Sequence, residues 1–322
     1  MRGTDMSVWT GRVDTADGDN ATRWHQKVQP LEKAKDPGVV LIGFPCDEGV
    51  RRNQGRVGAK DGPKAIRTAL ANFAWRQRQP VYDAGDVGCT NTDLSNDQKR
   101  LNEDVYHAIT AGHRPIVLGG GHEAAWGSYV GLVRAVQAID PKLKVGIINL
   151  DSHFDLRGDA KGSSGTPFAQ ISRWCSEIDR LFWYMCLGVA EPSNTAALFE
   201  RAKRFNVKYR YDIDLDPWLL SGIFEEIQKF IAAVDLIHLS IDLDVLPASD
   251  MPAVSAPAIR GVPIASIEAI LATILTSGKV AVTDLVELNP TYDVDGRGAR
   301  TAARLAWLIA KEWPGVLAEA ED

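Results

Sequence analysis

Three stretches of this chain place carboxylates and imidazoles directly after runs that read as buried strands. Residues 145–150 lead into Asp151-Ser152-His153-Phe154-Asp155, and in an extended chain the period of two puts Asp151, His153 and Asp155 on one side. Residues 236–241 lead into Asp242-Leu243-Asp244, again two carboxylates at alternate positions. Residues 115–118 lead into Gly119-Gly120-Gly121-His122, where glycines allow a sharp turn and leave a histidine at the strand exit. A fourth run, 282–288, carries Glu287 just before Asn289-Pro290. Singly, each has an ordinary explanation. Aspartate after a strand is a common turn or cap residue, the three glycines do not complete GxGxxG, and His122-Glu123 does not complete HExxH. Together, four aspartates and two histidines at one end of three core strands would cost several kcal/mol per uncompensated charge, so a cation belongs among them.

Such a cluster needs a frame to position it. The chain has 322 residues, is 45% hydrophobic and carries a formal charge of −6, which excludes a disordered chain and gives no basic excess for nucleic acid. Strand-like runs at 39–44, 81–82, 115–118, 144–150, 182–187, 207–211, 236–241 and 280–288 are mostly continuously apolar, as strands buried on both faces are. Helical stretches alternate with them. One opens at Asp61-Gly62-Pro63 with Ile66, Leu70 and Phe73 on one face, and others span 97–111, 123–138, 167–176, 194–204, 217–233, 263–276 and 300–312. This alternation predicts an α/β fold, a parallel sheet with helices on both faces, in which ligands bind beyond the carboxyl ends of the strands. No repeat or linker divides it, so one catalytic domain is expected over 38–322, after a polar arm over 1–37. Cys46, Cys89, Cys175 and Cys186 show no CxxC spacing, and no apolar stretch has the ~20 residues that span a bilayer. A cytoplasmic setting is expected, with buried, inert thiols at Cys46 and Cys89.

Carboxylates with a minority of imidazoles and no thiolate suit Mn²⁺ better than a soft-ligand zinc or copper site. The charge of the aspartates balances two divalent ions, and six ligating side chains are too many for one ion that must keep an open position.

Gly119-Gly120-Gly121-His122, Asp151-Ser152-His153-Phe154-Asp155, Ser240-Ile241-Asp242-Leu243-Asp244 and Glu287-Leu288-Asn289-Pro290 resemble the metal-binding motifs of the ureohydrolases, the arginase and agmatinase family. The resemblance runs from about Val39 to Trp313. It implies a three-layer α/β/α fold around a mostly parallel eight-stranded sheet, a dinuclear manganese site, and hydrolysis at an amidine or guanidine carbon. It further implies that His122, Asp151, Asp155 and Asp242 surround one metal, and that Asp151, His153, Asp242 and Asp244 surround the other, with Asp151 and Asp242 bridging. Hydroxide held between the metals would attack, Asp155 would orient it and pass on its proton, and Glu287 would hold the cationic amidinium.

Within that family, Trp9-Thr10-Gly11-Arg12, the run from Asp47 to Arg56, the run from Gly58 to Pro63 and Ser163-Ser164-Gly165-Thr166-Pro167-Phe168 resemble the formimidoylglutamases, which release formamide and glutamate in histidine degradation. Ser152 stands where alanine is commoner in the family, and Ser164 where arginases and agmatinases have a proton-shuttling histidine. Arg157 follows Asp155 by two residues, and a guanidinium there would repel a cationic substrate and clamp a carboxylate. Arg51, Arg52 or Arg56 could supply a second clamp, although loop arginines are mostly solvated. Ser193 falls where arginases hold a substrate ammonium with an acid, and Asn194 could either bond a carboxylate or cap the following helix. A small-molecule substrate and a homo-oligomer, trimer or hexamer by resemblance, are expected. The alternatives are another ureohydrolase acting on a carboxylate-bearing guanidino compound such as guanidinobutyrate, and a non-catalytic metal-binding assembly protein.

Overall fold

Runs rich in Val, Ile and Leu with no polar face, such as Val39–Phe44 and Val145–Leu150, are stable as strands only where both faces are covered. In the computed structural model of the chain they are central strands of a single parallel sheet. The structure describes residues 4–314; the first three residues of the arm and the last eight of the expected domain lie outside it. The strands are β1 (Gln29–Pro30), β2 (Val39–Phe44), β3 (Val81–Asp86), β4 (Arg114–Gly119), β5 (Val145–Leu150), β6 (Trp183–Val189), β7 (Lys208–Tyr211), β8 (Leu236–Asp242) and β9 (Val280–Val286). They run in the order β1-β3-β2-β4-β9-β8-β5-β6-β7, and every pairing is parallel.

The sheet therefore has nine strands among the described residues, not the expected eight. The extra one, β1, comes from the polar arm, where Gln29 and Pro30 pair with Tyr82 and Asp83. Two residues give no periodic signal. The arm also inserts buried Trp9 and Trp24 into the core, and Trp9 Nε1 donates to Asp83 Oδ2 at 2.7 Å.

Helices α1 (Glu48–Arg52), α2 (Gly62–Ala71), α3 (Leu94–Thr110), α4 (Ala124–Ile139), α5 (Pro167–Glu177), α6 (Ala196–Arg204), α7 (Leu220–Ala233), α8 (Ile264–Leu275) and α9 (Arg297–Glu312) cover the two faces. Alternation along β2 shows the division: Val39 and Leu41 join one apolar cluster with α2, α8 and α9, whereas Val40, Ile42 and Phe44 join another with α3 and α4. Helix α1 has only five residues, too few to show a 3.6-residue period, and was not expected. Elsewhere the helices lie within a few residues of the expected stretches.

The strand order is what makes the chemistry local. Strands β4, β9, β8 and β5 are consecutive neighbours at the middle of the sheet. Their carboxyl ends lead, in that spatial order, into His122, Glu287, Asp242 with Asp244, and Asp151 with His153 and Asp155. Residues up to 165 positions apart in sequence thus share one rim, as in the contact between His122 and Glu287.

Candidate metal centre and substrate cavity

Beyond β4 the backbone turns sharply: Gly120 N donates to Phe44 O at 2.7 Å and Gly121 N to Cys46 O at 2.9 Å. A side chain on Gly120 would run into the backbone carbonyl of Cys46, so glycine is required for this approach. The turn aims His122 Nδ1 at three carboxylates. It lies 3.2 Å from Asp151 Oδ2, 2.9 Å from Asp155 Oδ2 and 3.2 Å from Asp242 Oδ2. The other ring nitrogen, Nε2, contacts Ser240 Oγ at 2.9 Å, which leaves Nδ1 free to ligate when Nε2 carries the proton.

The second group is built around His153, whose Nδ1 lies 3.0 Å from Asp244 Oδ2 and 3.6 Å from Asp151 Oδ1. Asp151 is common to both groups, with Oδ2 toward His122 and Oδ1 toward His153. Within each group, His122 with Asp151, Asp155 and Asp242, and Asp151 with His153 and Asp244, the ligand atoms lie within 4.8 Å of one another. Asp242 falls geometrically in the first group, and its Oδ1 accepts the Asp244 backbone N–H at 2.8 Å.

The segment after β5 does not reach this arrangement by staying extended. Asp155 has φ 48°, a left-handed backbone that turns its carboxylate back toward His122. Two other cavity residues, Gln54 at φ 61° and Glu287 at φ 71°, also hold left-handed backbone, a form of strain that collects at functional sites.

Electrostatics indicate what this donor set lacks. Burial works against charge on His122, yet the facing carboxylates of Asp151, Asp155 and Asp242 hold its pKa well above the usual imidazole value. Burial, with the charges of Asp244 and Asp151, pushes Asp242 well above the carboxylate range, and burial pushes Asp244 up to about 6. Buried His122 Nδ1 has no hydrogen-bond partner. A buried imidazole nitrogen without a partner, facing three carboxylates of which burial raises two, Asp155 and Asp242, is the pattern a divalent cation would complete. The residues present therefore fit a two-metal centre with hard oxygen ligands.

Beside the centre lies a cavity of about 290 Å³ lined by, among others, His153, Asp155, Arg157, Ser164, Asp244 and Glu287. Glu287 is buried; its Oε1 accepts the His122 backbone N–H at 2.8 Å, while Oε2 has no partner. Burial and the charge of Glu123 raise its pKa well above the usual range. A buried carboxylate oxygen without a partner, on a residue that lines the cavity, is suited to a cationic donor.

The four arginines considered from sequence separate cleanly. Arg51 and Arg52 both bind Glu48, at 2.6 and 2.8 Å, and Arg52 also donates to Gly162 O at 3.1 Å. Arg52, expected to meet substrate, does not line the cavity, because Glu48 on its own helix holds it aside. Arg56 reaches the wall but spends its guanidinium on the carbonyls of Pro252, Val254 and Ser255, and it stacks 4.0 Å over the Tyr292 ring. Arg157 is exposed at the rim, lines the cavity and forms no ion pair among the described residues. Asn194 likewise does not line the cavity: its side chain accepts from Phe154 N at 3.1 Å and donates to Ser152 O and Ala190 O at 2.9 Å, so it braces the 151–155 loop.

Ser240, the partner of His122, was not anticipated. It stands two residues before Asp242 and so shares its face of β8, as does His238, which binds Asp284 Oδ2 at 2.5 Å. A polar residue at every second position of an otherwise apolar run was the available signal.

The sequence profile of the Arginase family matches residues 37–311. The formimidoylglutamase of Chromobacterium violaceum is 54% identical over 307 residues, covering 95% of this chain and 98% of that one. That of Aeromonas hydrophila is 52% identical over 310 residues, covering 95% and 98%. Among solved structures, Bacillus subtilis formimidoylglutamase superposes with a TM-score of 0.81 at 24% identity, covering 94% of each chain, which speaks for the fold alone. Trypanosoma cruzi formiminoglutamase, solved with Mn²⁺, superposes with a TM-score of 0.73 at 26% identity, covering 88% of this chain and 96% of that one. No helix among the described residues is long and apolar enough to cross a membrane. With the four motifs, the nine-stranded parallel sheet and the paired ligand groups in place, the chain belongs to the arginase family of hydrolases.

Proposed function

We propose that this chain hydrolyses N-formimidoyl-L-glutamate to L-glutamate and formamide, as a step of histidine degradation, at a centre of two Mn²⁺ held by His122, Asp151, Asp155, Asp242, His153 and Asp244. The observation that carries the substrate assignment is the polarity of the cavity, lined by the buried acid Glu287 and by the unpaired Arg157 guanidinium at its rim. A small molecule with a cationic amidine at one end and carboxylates at the other matches both. The relatives named formimidoylglutamase support the same reading.

When bound, the two cations would lower the pKa of a water and so supply a nucleophile near neutral pH. Glu287, whose Oε1 is fixed by His122 N, receives the amidinium N–H groups with its carboxylate and thereby orients the carbon to be attacked. Asp155, which faces the cavity, is placed to accept the proton lost from the water and return it to the departing glutamate nitrogen. Ser164 cannot shuttle that proton as a histidine would, which leaves the task to Asp155. Arg157 holds a substrate carboxylate at the rim.

A cytoplasmic setting and a homo-oligomer belong to the same proposal. Four free thiols support the first, and the exposed apolar side chains of Ile213, Trp218 and Leu219 support the second. The test is a substrate panel: formamide and glutamate from N-formimidoyl-L-glutamate are expected, with little urea from arginine, agmatine or guanidinobutyrate. Urea from guanidinobutyrate without formamide would reassign the chain to another ureohydrolase, and no product from any substrate would favour a metal-binding protein without catalysis.

A further inference from the structure

Arg157 does not enter the cavity unaided. Its backbone N–H donates to Gly165 O at 2.9 Å, which clamps the two strands of the 157–165 loop together at its neck. Its side chain then lies across Gly165: a Cβ built on that glycine would stand 2.7 Å from Arg157 Cδ and 3.0 Å from Nε. The same Cβ would stand 3.1 Å from Asn53 Nδ2, which arrives from the end of α1 and donates to Ser164 Oγ at 3.2 Å. A guanidinium and a carboxamide from segments about a hundred residues apart in sequence thus converge over one residue without a side chain, and both line the cavity. Arg157 forms no ion pair among the described residues, and Asp159, which shares the adjoining outer pocket with it, makes none with it.

We propose that Gly165 determines the selectivity of this site for an acidic substrate, as the seat that lets Arg157 and Asn53 converge into a two-armed carboxylate clamp. In this arrangement Asn53 is a specificity residue and Gly165 a positioning residue. The inference rests on the substrate reading given above. Gly165 does not have a positive φ, so alanine is compatible with the backbone, and what it displaces are the flexible ends of two side chains. The substitution should therefore move the clamp and leave the fold intact.

The experiment is a double-mutant cycle on the manganese-loaded enzyme, with formamide release from N-formimidoyl-L-glutamate and from N-formimidoyl-propylamine, which has no carboxylate. Gly165→Ala should raise KM for the acidic substrate about tenfold or more with kcat little changed, and leave kcat/KM for the propylamine derivative within about twofold. In an Arg157→Ala background the same substitution should add little, because the group it displaces is gone. Asn53→Ala, which leaves the loop backbone untouched, should also raise KM selectively. Calorimetric binding of L-glutamate, which needs no turnover, should weaken in parallel. An unchanged KM, an equal loss on both substrates, or an undiminished Gly165→Ala effect without Arg157 would each overturn the proposal. Wild-type enzyme releasing no formamide would refute the substrate assignment instead, and the glutamate-binding comparison would still decide the clamp.

Discussion

The Glu287 carboxylate accepts the backbone N–H of His122 at 2.8 Å, tying the cavity-lining acid just beyond β9 to the histidine that follows the adjacent strand β4. One oxygen is thereby fixed and the other, also buried, has no partner. Glu287→Gln keeps the shape but presents an amide where a charge is needed. It should lower kcat/KM about 100-fold while leaving the metal content near two ions per chain. Kinetics with metal analysis on the same sample check this, and unaltered kinetics would remove Glu287 from the reaction.

Asp151 is the residue both ligand groups share. Asp151→Ala should therefore strip metal and turnover together, and Asp244→Ala should empty the His153 group first. Metal stoichiometry of the purified variants decides the point; turnover persisting in Asp151→Ala would contradict a two-metal mechanism.

Ser240 fixes His122 from the side away from the carboxylates. Ser240→Ala leaves every ligand in place but frees the ring, and it should weaken metal affinity about 10- to 100-fold. Excess Mn²⁺ should restore most of the activity, which distinguishes a positioning role from damage to the core.

The metal-free protein should lose stability as the pH rises. Asp244 is raised from 3.8 to about 6 by burial, so it holds a proton in the folded chain that the unfolded chain releases. Its contribution is complete below 3.8 and is lost as the pH passes about 6. His122 and His153 are also held above their usual value by the aspartates, which extends the loss upward in the same direction. Each extra proton contributes a slope of about 1.4 kcal/mol per pH unit. Metal binds the deprotonated ligands, so the gap in Tm between loaded and chelated protein should widen from about pH 5 to about pH 8, reaching roughly 5 °C or more. Thermal melts with and without chelator measure it, and a gap that narrows with pH would contradict the assignment of these groups.

Much of the site was legible because its residues follow strands. A buried run ending in a carboxylate or histidine identifies both the strand and the rim, and that held for His122, Asp151, Asp242 and Glu287. What sequence spacing could not supply was backbone geometry. Asp155 meets His122 through a left-handed turn, not through an extended chain. Nor could it tell which arginine is free: Arg52 and Arg157 look alike as loop cations, and only the neighbouring Glu48 on a five-residue helix separates them. The ninth strand escaped notice for the same reason as that helix, since two residues carry no period.

The most direct test of the account is the rate of formamide release from N-formimidoyl-L-glutamate as Mn²⁺ is added back to protein stripped by a chelator. The account predicts no release from the stripped protein and a rate that rises to saturation at about two equivalents per chain. Full-rate release without a divalent metal would contradict it.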